Sequence, residues 1–181
     1  LANNLFQAHS LLMEQIDRDE SLALDIIVSG SHLSHEFGYT ADAIERDGFH
    51  IAKKIEMLLS SDTETSVIKS IGIGLISFAE VLSGMRPDIL VLLGDRSEIL
   101  CPAIAALILR IPVAHIHGGE RSEGAIDEAV RHCVTKMATY HFPATDIYRA
   151  RIIQMGEDPG RVFNFGAPGL DYIYRKKPMT R

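Results

Sequence analysis

The sequence predicts an α/β domain built on a doubly wound parallel sheet with helices on both faces. Three observations carry that prediction. Short apolar runs alternate with helical periodicities along most of the 181 residues. The clearest runs are unbroken rather than alternating, as expected of strands covered on both faces. Polar, glycine-containing motifs recur just beyond those runs, where ligands bind in open α/β sheets: Gly30-Ser31-His32, Gly94-Asp95-Arg96, HIHGGE at 115–120 and Gly166-Ala167-Pro168-Gly169.

Each element follows from its local pattern. Residues 4–17 form a helix with Leu5, Leu12 and Ile16 on one stripe and Phe6 and Met13 beside it. LALDIIVSG at 22–30 is a buried strand ending in glycine, and 40–60 reads as mixed and helical, broken by Asp47-Gly48. A long amphipathic helix at 66–85 tolerates Gly72 and Gly74 and stops at Gly84 and Pro87. DILVLLGD at 88–95 is the clearest strand. After it come a helix at 98–110, a strand at 112–119, a helix at 124–138, a strand at 139–145, a helix near 146–156 and a strand at 161–169. No repeat, low-complexity tract or linker interrupts the series.

Composition excludes several functions. Hydrophobic residues make up 46% and charged residues 23%, the balance of an ordinary globular domain. Eighteen basic against 24 acidic side chains give a net charge of −6 with no basic run, which argues against a nucleic-acid partner. Small anions can still bind at helix N-termini. Cys101 and Cys133 sit in apolar helical patterns and predict buried thiols in a reducing, cytoplasmic compartment. No apolar run reaches membrane-spanning length, no membrane partner is expected, and the N-terminus lacks the pattern of a signal peptide. The chain opens in a helical pattern without an initiator methionine, which points to upstream sequence.

The chemistry concentrates between His115 and Arg131. In HIHGGE the glycine pair permits a sharp turn and close approach of a ligand. His115 and His117 alternate along a strand and so share a face, with Glu120 beyond the turn. His115 is either functional or a buried, hydrogen-bonded strand residue. Asp127 with Arg131, and Glu128 with His132, are spaced to meet on a helix face. Asp127 and Glu128 stand in the first turn, as caps or as active-site acids. Ile126, Val130, Cys133 and Met137 form the expected core stripe. Asp95 and Arg96 follow an apolar strand, where Asp95 either caps the next helix or serves a site. His115, His117, Asp95 and Asp127 are too few for a two-metal site, so no metal and no other cofactor is expected.

These residues carry a resemblance. GSHLSHEFG (30–38), RPDILVLLGDRSE (86–98), AHIHGGERSEGAIDEAVRHCVTKMATYHF (114–142) and GAPGLD (166–171) resemble, in order, the hydrolysing UDP-N-acetylglucosamine 2-epimerases. These are enzymes of bacterial sialic- and legionaminic-acid biosynthesis and the epimerase half of the animal bifunctional epimerase/kinase. The resemblance implies a GT-B-like fold of two Rossmann-like domains with the active site in the cleft. Residues 1–171 correspond to the N-terminal domain and 172–181 to the start of the interdomain connection. The family's C-terminal nucleotide-binding domain, and its first strand with a Gly-Thr-Arg-Ala-type loop, have no counterpart in the sequence. Loss of that strand would leave a gap between LDIIVSG and DILVLLG.

The implied reaction eliminates UDP across C1–C2 and adds water to the glycal. A fragment alone is expected to be inactive, and the full-length enzyme to be a homo-oligomer. The implied catalytic residues are Asp95, Glu120, Asp127, His117 and Arg131. His32, Arg96, Gly118, Gly119, Glu128 and Gly166 are implied to bind the UDP-sugar. His117 stands where some relatives have Glu. Either it takes the acid/base role or Glu120 and Asp127 carry it, and the latter two are favoured. Gly124 lengthens the loop relative to the animal sequence. UDP-N-acetylglucosamine is the default substrate and a UDP-linked 2,4-diacetamido-trideoxy sugar the other. A GT-B glycosyltransferase and a non-catalytic module are the alternative functions.

Overall fold

A computed structural model describes residues 2–61, 63–122 and 126–175. In chain order the elements are α1 (Ala2–Arg18), β1 (Ile26–Ser29), α2 (Ala41–Arg46), β2 (Ile51–Ile55), α3 (Glu64–Met85), β3 (Leu90–Leu93), α4 (Leu100–Leu109), β4 (Val113–Ile116), α5 (Asp127–Met137), β5 (Tyr140–Phe142), α6 (Asp146–Gln154) and α7 (Pro168–Arg175). Short 3-10 turns occupy Gly30–Leu33, His35–Phe37, Ser97–Ile99 and Pro159–Arg161. All strand pairs are parallel and helices flank them, the expected α/β class. The strands fall in two ladders, β1-β2 and β3-β4-β5.

The chain divides into two units. The first comprises residues 1–56 and 167–181. Here β1 pairs with β2, Ile26 opposite Ile51 and Ser29 opposite Ile55. Val28, Ala41, Ile44 and Phe49 form its core, with Met13, Leu24, Ile26, Leu33, Tyr39 and Ile51 packed around them. Helices α1 and α7 lie against one another. Strand β2 corrects the helical reading of 40–60. The helix there ends at Asp47, the chain reverses through left-handed Gly48, and a strand follows. Ile51 and Ile55 have helical spacing, and it is pairing with the distant β1 that makes the segment a strand.

The second unit, residues 57–166, holds the three-stranded ladder with β4 at its centre. Every residue of β4 is buried, His115 included, as befits the central strand of a parallel ladder. Leu82, Val113, Val134 and Ile152 are fully buried, each contributing about 1.5–3 kcal/mol relative to exposure. Helix α3 packs on α4 along a face that includes Ser70, Gly74, Phe78 and Leu82. A Cβ at Gly74 would lie 2.6 Å from Met57 Cε and 2.9 Å from Cys101 Sγ, so this glycine admits two sulfur side chains.

Several expectations are corrected in this unit. Helix α3 has the length and composition to cross a membrane, by those two criteria only, because its Ile, Leu, Val and Phe residues are interrupted mainly by uncharged glycines and serines. The expected strand at 161–169 reduces to a single bridge between His141 and Val162. The Pro159–Arg161 turn precedes it and α7 opens at Pro168, where proline favours a helix start. The core stripe of α5 is also shifted. Val130, Arg131, Val134 and Thr135 are buried, while Ile126 and Cys133 are exposed. The cause is that the helix turns Arg131, not Cys133, inward to meet a carboxylate. Cys101 is buried as expected, donating to the Ile71 carbonyl at 3.3 Å, and burial pushes its thiol up to about 11. The predicted helix start near Gly124 lies outside the described residues.

Candidate active site

Strands β3 and β4 deliver the site's residues at their carboxyl ends, and α5 meets them from the side. After Leu93 the chain turns through left-handed Gly94 (φ 80°) and presents Asp95. Its Oδ2 accepts a hydrogen bond from Ser122 Oγ at 2.7 Å and is ion-paired with Arg131 Nη2. Among the described residues Asp95 bonds to Ser122 and Arg131 and does not cap the helix that follows, whose N-cap positions are Arg96 and Ile99. Arg96 turns away to Glu98 at 3.3 Å, its side chain more than half exposed.

Arg131 is buried, and its fork joins segments far apart in sequence. Nη1 donates to the carbonyl of His117 at 2.5 Å, and Nη2 donates to Ser122 Oγ at 3.1 Å as well as to Asp95. Glu120 Oε2 lies 3.8 Å from Nη1. The expected Asp127–Arg131 ion pair is absent among the described residues. The guanidinium is committed to Asp95, for which Asp127 on the same helix cannot substitute at that position. Glu128 does pair with His132, at 3.5 Å.

The two histidines part company. His115 is fully buried, its Nε2 donating to the Gly94 carbonyl at 2.8 Å and its Nδ1 lying 3.2 Å from Thr135 Oγ1. Burial pushes its pKa down to about 4, against the Gly94 carbonyl, which favours the charged form. It is a neutral strut tying β3, β4 and α5 together. His117 follows the last residue of β4 and adopts a left-handed backbone (φ 62°), so the strand alternation stops and the two rings do not share a face. Its amide donates to the Phe142 carbonyl at 3.0 Å, its carbonyl is held by Arg131, and its Nδ1 lies 2.6 Å from Glu120 Oε1. The sequence opposes His117 to Glu120 as rival acid/base groups; the geometry joins them as one imidazole–carboxylate pair.

Gly118 and Gly119 approach the protein itself. A Cβ on Gly118 would lie 3.0 Å from His115 Nδ1 and 3.1 Å from Thr135 Oγ1. On Gly119 (φ 72°) it would lie 2.7 Å from both Ile152 Cγ1 and the Tyr148 carbonyl oxygen. The glycine pair thus seats the His117 turn against α5 and α6. Arg151, stacked over Tyr148, donates to the Gly119 carbonyl at 2.6 Å. Neither Ser122 nor Arg151 is singled out by the sequence, since each acts on an atom many residues away.

His32 Nδ1 lies 2.6 Å from Thr40 Oγ1 in the first unit. Gly166 is left-handed in open space, its amide bonded to Asn164 Oδ1 at 3.2 Å. Among the described residues no group of three His, Cys, Asp or Glu side chains could hold a metal. What the cluster offers is a carboxylate fixed by a guanidinium and, beside it, an imidazole backed by a second carboxylate. Such groups perform proton transfer.

Comparison with known proteins agrees in fold and sequence. A hydrolysing UDP-N,N'-diacetylbacillosamine 2-epimerase of Legionella pneumophila is 44% identical over 170 residues, covering 94% of this chain and 45% of that protein. A GDP/UDP-N,N'-diacetylbacillosamine 2-epimerase of Campylobacter jejuni is 43% identical over 156 residues, covering 86% of this chain and 40% of its own length. A crystal structure of UDP-GlcNAc 2-epimerase from Neisseria meningitidis bound to UDP-GlcNAc superposes with a TM-score of 0.80 at 16% identity, over 93% of this chain and 45% of that one. The chain therefore spans less than half the length of these relatives. The sequence profile described as UDP-N-acetylglucosamine 2-epimerase matches residues 14–181. By that match, and by a fold those enzymes share, the chain belongs to the UDP-N-acetylglucosamine 2-epimerase family.

Proposed function

We propose that the full-length protein carrying this chain is a hydrolysing 2-epimerase of a UDP-linked 2-acetamido sugar, and that this chain is its N-terminal domain. With UDP-GlcNAc the products are N-acetylmannosamine and UDP. The names of the relatives at 43–44% identity favour the 2,4-diacetamido sugar as the first substrate to try. A free N-acetylated sugar of this kind suits sialic-acid-type biosynthesis, with the homo-oligomeric enzyme in the cytoplasm.

The observation that carries the reading is the linked cluster Glu120–His117–Arg131–Asp95 at the ends of β4 and β3. In the elimination a protein base takes the C2 proton, the C–H electron pair becomes the C1=C2 double bond, and the C1–O bond breaks with its pair going to UDP. In the hydration, water supplies hydroxide to C1 and a proton returns to C2 from the opposite face. Inversion at C2 needs two proton-transfer groups. Asp95 is one, and the His117–Glu120 pair is the other. Arg131, buried, holds both in place rather than meeting the diphosphate. Asp127 and Glu128, at the start of α5, act beside them, with His32, Arg96 and Gly166 as contacts to the rest of the substrate. Gly118 and Gly119 serve the site by packing.

Incubating the full-length protein with each UDP-sugar in D₂O tests the reading. Free C2-epimeric sugar carrying deuterium at C2, released with UDP, is the expected result. Released sugar without C2 deuterium overturns it, and sugar transferred intact to an acceptor indicates a glycosyltransferase instead.

A further inference from the structure

Ser122 has no role by motif, yet it touches both Asp95 and Arg131 of the cluster. Its hydroxyl oxygen lies 2.7 Å from Asp95 Oδ2 and 3.1 Å from Arg131 Nη2. A guanidinium has donors only, so the serine oxygen must accept from Arg131. Its single proton is then directed to Asp95. The hydroxyl has one orientation, fixed by its neighbours.

Both donors to Asp95 converge on the same oxygen, Oδ2. They come from different segments, the loop after β4 and helix α5. One donor alone would let the carboxylate swing about its terminal torsion, which is broad for Asp. Two donors on Oδ2 fix the plane. Oδ1 makes no hydrogen bond among the described residues, and the side chain is 22% exposed.

We propose that Ser122 is a positioning residue that, with Arg131, fixes Asp95 through Oδ2 so that Oδ1 is the oxygen that exchanges the proton with substrate. This rests on the epimerase reading above. Ser122 does not itself touch the reacting atoms.

The test uses the full-length protein and UDP-sugar turnover followed by C2 deuterium incorporation. Removing a hydrogen bond to a charged group reduces the rate roughly tenfold to a hundredfold. Ser122→Ala is expected to lose kcat on that scale with KM unchanged within about twofold. Ser122→Thr keeps the hydroxyl, and Ser122→Val has the shape of threonine without it. Threonine is expected to stay within severalfold of wild type and valine to match alanine. Equal kcat in wild type and Ser122→Ala, or equal loss in the threonine and valine variants, overturns the positioning role while the epimerase reading stands. A wild type that incorporates no C2 deuterium overturns the epimerase reading and the role of Ser122 with it.

Discussion

Replacing Arg131 by methionine removes the charge that Asp95 is paired with and the donor that holds the His117 carbonyl. The side chains of Arg131 and Asp95 are 7% and 22% exposed, so the pair is not reduced to the value of a solvated surface bridge. Breaking such a pair from one side costs about 3–5 kcal/mol, because the remaining charge is left without compensation. Asp95→Asn keeps an acceptor for Ser122 and Arg131 and costs less, about 1.5–3 kcal/mol for a charge-assisted bond made neutral. The double variant leaves neither charge stranded. Its loss of stability falls short of the sum of the single losses by about 1–3 kcal/mol. Urea denaturation of the full-length protein and its three variants measures the cycle. Independent sites add within about 0.5 kcal/mol, and a cycle that closes within that margin refutes the direct pairing and the site built on it.

Other substitutions test neighbouring parts of the structure. Gly119→Ala meets a left-handed backbone and a Cβ position 2.7 Å from Ile152 and Tyr148. Strain and overpacking together cost about 2–5 kcal/mol, and an unchanged urea midpoint contradicts the packing role. His115 has its pKa lowered from 6.5 to about 4, so the unfolded chain binds the proton more readily. The stability it contributes is complete above pH 6.5 and falls by about 3 kcal/mol as pH drops through 4; His115→Asn should flatten that part of the stability–pH curve, and an unaltered curve rejects the buried neutral strut. Cys133 is exposed and Cys101 buried with its thiol pushed up to about 11. A thiol reagent at pH 8 should label the peptide of Cys133 and spare that of Cys101 until the protein unfolds.

What the sequence revealed tracks how local the signal is. DILVLLGD, HIHGGE and the helix at 98–110 are legible because apolar runs and glycine turns leave their marks within a few residues, even though Val91 of β3 is exposed. Strand β2 is not, because Ile51 and Ile55 fit helix spacing and only pairing with β1 decides between the two. The α5 stripe is misread because a buried charge, Arg131, takes a place that periodicity reserves for an apolar side chain. In the site, Asp95, His117, Glu120 and Arg131 stand in quotable motifs and come together in space. Their pairing is another matter. Spacing on one helix joins Arg131 to Asp127, whereas the fold joins it to Asp95, 36 residues away. Ser122 and Arg151 leave no mark at all, since their partners are a carboxylate on another strand end and a carbonyl of the HIHGGE turn.

The reaction centre itself is tested most directly by the rate of solvent-deuterium incorporation at C2 of the released sugar, compared between full-length wild type, Asp95→Asn and Glu120→Gln. A positioned acid or base contributes about 10²–10⁴-fold, and each variant should lose a rate on that scale while remaining folded. Incorporation at near wild-type rates in both variants would place the proton transfers on other residues and contradict the site at the ends of β3 and β4.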